Sequence, residues 1–441
     1  MHKNKHHILL IDPVTTANSL PVEERKKLRK GIGYPGIGLI TVAALTPSDI
    51  QVRVIDESVE DIDFSFSPDL VGISVQAPTA PYAYHLASIF REKRIPVVLG
   101  GIHVSLNPDE AISRADSIII GEAELTWQKL IQDFKNGQLK KVYCAESLAD
   151  LDSTPAPQRD LLNYENYQIP SVVQASKGCP FGCEFCSLYS YVGHSPRFRK
   201  IENVIHEIQS LPGDRILFAD DNIYCNKKYS KNLFNAMIPL KKHWVAEATW
   251  HIAYDEEVLT LAKQSGCAGL FIGFDSINEQ RMMKKVPHSN YIEEVYIKAI
   301  QNIHKKGIAV VAAFVFGLDN DETSVFERSL NVVLKGGANL VNFSVLVPYP
   351  GTPVFNRLKD EGRIIEWDWS KYISPNVCFE PKNMSAKQLK EGTLWAQKEF
   401  YSLSNIVKIS LKVANNLGWA MGLLSLKLNL AQRKNWGKGS N

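Results

Sequence analysis

Two separate series of short apolar runs, each alternating with helical stretches, constrain this 441-residue chain more than any other feature. In the first, HILLID, IQVRVID, DLVGISV, IPVVLGG and ADSIIIGE are only a few residues long and apolar almost throughout. A strand covered on both faces reads this way. Segments such as PYAYHLASIFREKR separate them, so the pattern predicts a doubly wound, Rossmann-like parallel sheet over residues 1–145. In such sheets ligands bind beyond the carboxyl ends of the strands, and several of these runs end in Gly or a small polar residue. ESLADLDSTPAPQRDLLNYENY breaks the pattern with Asp, Pro and Ser, and residues 146–167 read as a linker. The second series, SVVQAS, RILFADD, EATWHIA, GLFIGFDS, IAVVAAFVFG and VNFSVLVPYPG, predicts a partial (β/α)6 barrel over residues 168–375. Residues 376–441 read as mostly helical.

Composition narrows the function classes. A chain of this length exceeds one ordinary core, so two or three domains are expected. At 45% hydrophobic and 22% charged it has the make-up of a globular protein, and a net charge of +3 gives no broad basic surface for nucleic acid. Seven cysteines in so long a chain are no disulfide framework, which points to a reducing, cytoplasmic setting. The distribution of charge is uneven: from Phe400 to Asn441 there is no acidic residue, but Lys408, Lys412, Lys427, Arg433, Lys434 and Lys438 are basic. The uncharged run VANNLGWAMGLLSL lies among them and is shorter than the ~18 residues of a membrane span. Two readings stand for it: an interfacial helix making peripheral membrane contact, or a helix packed on the barrel.

Cys179, Cys183 and Cys186 form C-x3-C-x2-C in the loop after SVVQAS, the first strand of the second series. Chemistry in β/α barrels sits at such strand ends. Three thiolates hold three irons of a cubane cluster and leave the fourth open to a ligand. The alternative is a structural zinc with His194 as fourth ligand, although zinc sites usually draw their second ligand pair from a distant segment.

With Phe185 before the last cysteine, and a β/α series around it, the motif resembles that of the radical S-adenosylmethionine (SAM) enzymes. The resemblance implies a [4Fe-4S] cluster on the three cysteines and SAM on the open iron, cleaved to a 5′-deoxyadenosyl radical. It also implies SAM contacts from Phe185, from Asp220 and Asp221 in LFADDN, and from Asp275 and Ser276 in IGFDS. Many relatives carry Glu where Asp275 stands, and helix capping is the competing explanation for both Asp221 and Asp275.

A doubly wound domain directly before such a barrel resembles the cobalamin-dependent branch of that family, and in particular the group containing hopanoid and bacteriochlorophyll methylases. YPGIGLITVAALTP, VVLGGIHVSLNPDEA, ADSIIIGEAE and PYPGTPVFNRLKDEGRI carry this likeness. It implies bound cobalamin, with contacts from Ser74, Gly100, Gly101, His103, Gly121 and Glu122. The cobalt-ligating motif D-x-H-x-x-G is absent: Gly101 and Leu106 stand at the Asp and Gly places around His103. His103 is therefore expected to line the site rather than ligate from below. The implied activity is methylation of an unactivated carbon in an apolar or lipid-like substrate, fed by an external electron donor. A radical SAM cyclase, oxidase or rearrangement enzyme is the alternative on the same scaffold, and a zinc-stabilised, non-catalytic binding module the alternative from another class.

Overall fold

The computed structural model describes residues 6–15, 20–278 and 292–436. The chain forms two compact units, one of Met1–Gly213, Pro348–Gly362 and Glu366–Ile373, the other of Asp214–Val347, Arg363–Ile365 and Ser374–Asn441.

The first unit is built on a six-stranded sheet of β1 (His7–Asp12), β2 (Gln51–Asp56), β3 (Leu70–Ser74), β4 (Val97–Gly100), β5 (Ser117–Ile120) and β6 (Val142–Cys144). Its order is β2-β1-β3-β4-β5-β6, and every pairing is parallel. Both faces are covered, which is why the strands are apolar throughout. Leu9 and Ile11 of β1 join one core with Ala83, Leu86 and Phe90 of helix Ala80–Glu92. Ile8 and Leu10 join the other with Trp127, Leu130 and Ile131 of helix Ala123–Lys135. Neighbours to β1 are added on opposite sides, β2 on one and β3 on the other, so a switch point opens at their carboxyl ends. The same unit holds the short β7 (Val172–Val173) and an antiparallel pair, β8 (Ser176–Lys177) with β9 (Arg197–Phe198).

The second unit contains β10 (Arg215–Phe218), β11 (His243–Thr249), β12 (Cys267–Asp275), β13 (Ala309–Phe316) and β14 (Leu340–Val345), parallel and adjacent in chain order. Here the strands alternate. Trp244, Phe274 and Phe316 turn to one face, where Trp244 stacks on Phe234, Phe274 meets Tyr296 at a tilt and Phe316 meets Phe326 edge-on, all three partners lying on the intervening helices. Val245, Glu247, Gly273, Asp275 and Ser344 occupy the alternate positions and are less buried. One face is thus helix-covered, and the other is left for smaller and polar side chains.

Helix Ala386–Phe400 covers the β14 edge, where an unpaired ladder is a liability. The Phe343 N–H donates to Gln397 Oε1 at 3.0 Å, and the Tyr401 hydroxyl donates to the Val341 carbonyl at 3.1 Å. The uncharged run of the tail is not one helix. Gly418, at φ 91°, divides helix Leu403–Leu417 from helix Trp419–Trp436. Ile406, Ile409 and Val413 are buried, while Leu403, Val407, Leu411, Trp419, Leu423 and Leu424 are exposed. Lys438 lies outside the described residues.

Candidate functional site

Cys179, Cys183 and Cys186 lie on the segment between β8 and β9, all three half-buried. The Cys186 N–H donates to the Cys183 carbonyl at 3.0 Å, turning the chain into helix Ser187–Val192 with Cys186 as its N-cap residue. Glu184, between two of the cysteines, is held twice: its carbonyl accepts from the Val354 N–H at 3.1 Å, and its carboxylate from Arg357 Nη2 at 2.9 Å. Phe185 is half-buried beside it. His194, the zinc reading's fourth ligand, is exposed, with its Nε2 3.3 Å from the Tyr189 hydroxyl and its ring edge-on to Tyr189. Among the described residues no group of three or more His, Cys, Asp or Glu is spaced to hold a single metal ion. Three thiols on one short segment are the donor set that three corners of an iron–sulfur cubane use, and these residues fit that group.

Two cavities open along the carboxyl edge of the first sheet. One, of about 530 Å³, lies at the switch point, with Asp12, Arg29, Asp56, Gln76, Pro78 and Tyr349 in its wall. The smaller, about 130 Å³, is walled by Gln76, Ile102, His103, Leu106, Ser187 and Tyr349. Ser187 follows Cys186 directly, so this cavity adjoins the cysteine segment. His103 is 3% exposed, and its buried Nε2 has no hydrogen-bond partner, Glu110 Oε1 being 3.9 Å away. An orphaned imidazole nitrogen in a mostly apolar cavity wall fits a site that takes a ligand.

Of the six residues expected to contact cobalamin, His103 lies in the wall of one of these two cavities, and the other five lie in neither. Gly100, Gly101 and Ser74 form the strand-end backbone behind it. Gly101 sits at φ 98°, and a Cβ there would stand 2.7 Å from the Val75 nitrogen, so only glycine fits. Gly121 and Glu122 are tied to the cysteine segment. Tyr191 donates to the Gly121 carbonyl at 3.0 Å, and Glu122 is gripped by Lys177 and Arg197. Sequence reasoning missed Gln76, Tyr349 and the pair Asp12–Asp56. The signal for that pair was present: LLID and VRVID both end in Asp. Tyr349 comes from PYPGTP, a segment that carried the family likeness without a role of its own. Gly351 in it sits at φ 79°, and a Cβ there would meet Leu106 Cβ at 2.7 Å, so the turn presses on the cavity wall.

The remaining expected SAM residues belong to the second unit. Asp220 is buried and Asp221 half-buried after β10. Glu247, on the less covered face of β11, was not singled out. Asp275 ends β12 at φ 59°, left-handed backbone that a non-glycine residue occupies at a cost of about 1–3 kcal/mol. The β12–β13 register shifts beside it, between Gly273 and Asp275. Ser276 is buried and turned inward: its hydroxyl accepts from the Asn278 N–H at 3.0 Å. It lies beside Asp321, which also accepts the Gly317 and Leu318 N–H groups at 2.9 and 3.1 Å.

Comparison with known proteins bears on both units. Residues 173–331 match the radical SAM superfamily and residues 35–131 the B12 binding domain. The chain is 34% identical over 385 residues to bacteriochlorophyllide d C-12(1)-methyltransferase of Chlorobaculum tepidum, covering 84% of each chain. It is 28% identical over 352 residues to hopanoid C-2 methylase of Rhodopseudomonas palustris, covering 76% of this chain and 66% of that one. Among solved structures it resembles the radical SAM methyltransferase TsrM from Kitasatospora setae, which holds cobalamin and a [4Fe-4S] cluster. There the TM-score is 0.67 at 14% identity, over 98% of this chain and 100% of that one, a likeness of fold.

Proposed function

This chain belongs to the radical SAM enzymes that carry an N-terminal B12-binding domain, and on that premise we propose that it methylates an unactivated carbon of an apolar substrate. It is an enzyme of the cobalamin-dependent methyltransferase branch, with the [4Fe-4S] cluster, SAM and cobalamin as its cofactor set. The observation that carries the reading is the adjacency of the cysteine segment to the His103 cavity, Ser187 belonging to both. When bound, the cofactors supply the radical and methyl-transfer chemistry, consuming two SAM and two electrons from an external donor per methyl moved.

The residues of the chain bind and orient. Cys179, Cys183 and Cys186 hold three irons. Phe185, Asp220, Asp221, Asp275 and Ser276 are assigned to the SAM site, the acidic groups suiting its ammonium end. Ser276 acts through Asp321 and the loop it fixes. His103, Gln76 and Tyr349 line the B12 site, with Ser74, Gly100 and Gly101 as its backbone wall. The domain limits at 145, 167 and 375 belong to the same proposal.

We place the enzyme in the cytoplasm, with its C-terminal helices against a membrane surface. No helix among the described residues is long and apolar enough to cross a membrane. Trp419 is 70% exposed, and with Leu423 and Leu424 it forms an apolar face among basic residues that no acidic side chain after Glu399 balances. That face suits a lipid-like substrate delivered from anionic bilayers. Flotation with anionic but not zwitterionic vesicles is expected; flotation with neither lipid, or equal flotation with both, removes the placement.

The test of function is anaerobic reconstitution with iron, sulfide and cobalamin, then SAM and a strong reductant. 5′-Deoxyadenosine should form, and Ala at Cys179, Cys183 or Cys186 should abolish it. Methyl-labelled SAM offered with hopanoid and chlorophyllide substrates should give a product heavier by one methyl. Product of changed mass without the label would mean cyclisation or oxidation, and 5′-deoxyadenosine formation persisting in the Ala variants would refute the site.

A further inference from the structure

The segment that carries the three cysteines is closed at its base by β8 and β9, and the register sets Lys177 directly opposite Arg197. Like charges facing each other across a ladder repel, so this pairing needs a reason. Glu122 provides it. Its carboxylate lies 2.6 Å from Lys177 Nζ and takes both arms of the Arg197 guanidinium at 2.7 and 2.8 Å. A third donor, the Ala149 N–H, reaches it at 2.7 Å. The residue is 1% exposed. Burial alone would raise its carboxyl, but the Arg197 hydrogen bonds and the Lys177 charge outweigh that and hold it at about 2, permanently ionised.

Glu122 comes just after β5, within the B12-binding match. Its neighbour Gly121 accepts a hydrogen bond from Tyr191, in the helix that starts after Cys186. Two consecutive residues at one strand end therefore grip the cysteine segment at two places, its closing pair and its helix. Resting on the assignment of the cluster to Cys179, Cys183 and Cys186, we propose that Gly121–Glu122 is a positioning element for the cluster. In this role the carboxylate fixes the spacing of the thiolates from the B12-binding sheet rather than contacting cobalamin itself. Without it two half-buried cations face each other with only Glu124, 3.6 Å from Lys177, to offset them, and the segment they close is loosened.

The test uses Glu122→Gln and Glu122→Asp in the full chain. Two measurements need no cluster: far-ultraviolet circular dichroism of the whole chain, and hydrogen exchange of residues 178–196 before reconstitution. Glu122→Gln should keep its secondary structure and its cobalamin uptake, while that segment exchanges several-fold faster. After reconstitution it should bind less iron per chain, and the cluster's electron paramagnetic resonance spectrum should lose its response to SAM. Glu122→Asp should restore part of both. If Glu122→Gln does not fold, Tyr191→Phe, which removes the hydrogen bond to Gly121 and leaves the carboxylate and both cations in place, should show the same faster exchange in milder form. Wild-type exchange and a wild-type SAM response in Glu122→Gln would overturn the proposal, as would loss of cobalamin uptake with an unchanged segment. Should the wild-type chain itself assemble no cluster, the functional assignment fails, and the exchange data still decide whether Glu122 holds the segment.

Discussion

Asp12→Asn is the substitution whose effect the structure specifies most fully. Asp12 ends β1, and the register sets it beside Asp56 at the end of β2. Burial first, and then the charge of Asp56, push the Asp12 carboxyl up from 3.8 to about 7, with Glu57 adding to the rise and Arg29 opposing it. Below 3.8 both the folded and the unfolded chain hold this proton, and the site costs nothing. Between 3.8 and about 7 the unfolded chain releases it while the folded chain keeps it, so stability falls as pH rises through that window. Three pH units at ~1.4 kcal/mol each give a loss of about 4 kcal/mol above neutrality, and about 2 kcal/mol at about pH 5. Asparagine keeps the shape and removes the ionisation, so the variant should gain stability over the parent by amounts that grow with pH. Urea unfolding of both chains across this range reads it directly. A stability difference that stays constant with pH, or one that shrinks as pH rises, would refute the reasoning.

Other substitutions test the site and its support. Trp244→Ala removes a fully buried ring that stacks on Phe234 at 5.0 Å and donates to the Ser265 carbonyl, and it should cost about 3–5 kcal/mol in urea unfolding. Gly101→Ala forces a Cβ against the Val75 backbone at φ 98° and should lower cobalamin uptake, measured by absorbance of the desalted protein. Asp275→Gly relieves left-handed strain, so the melting temperature should hold or rise by the equivalent of about 1 kcal/mol, while SAM affinity by equilibrium dialysis falls. Asp321→Ala leaves the Gly317 and Leu318 N–H groups without their acceptor and should cost about 1–3 kcal/mol.

The strands of the first sheet were readable because both of its faces are covered, which leaves a continuous apolar signature in the chain. The second series was readable too, although its strands alternate, since only one face meets helices. Its first member proved the hardest: SVVQAS shrinks to Val172–Val173 and a separate two-residue strand, and apolar content alone does not say how much of a run will pair. Asp275 appeared as a carboxylate at a strand end, and its left-handed backbone was invisible, because φ depends on the register shift between β12 and β13. Glu122 was read as a cofactor contact from its place after β5. Its partners Lys177 and Arg197 lie 55 and 75 residues along the chain, beyond any local pattern.

The amino-acid order by itself determined the close spacing of the three cysteines proposed to hold the cluster, since a chelating loop needs only local spacing, and it determined the succession of two β/α layers, since burial writes a period into each strand. Tertiary structure decided what those parts are joined to. Only the folded chain brings Asp12 to Asp56, seats Tyr349 beside His103, and sets one carboxylate between two opposed cations. Such meetings depend on distances between segments remote in sequence, and electrostatic and packing energies act on those distances alone.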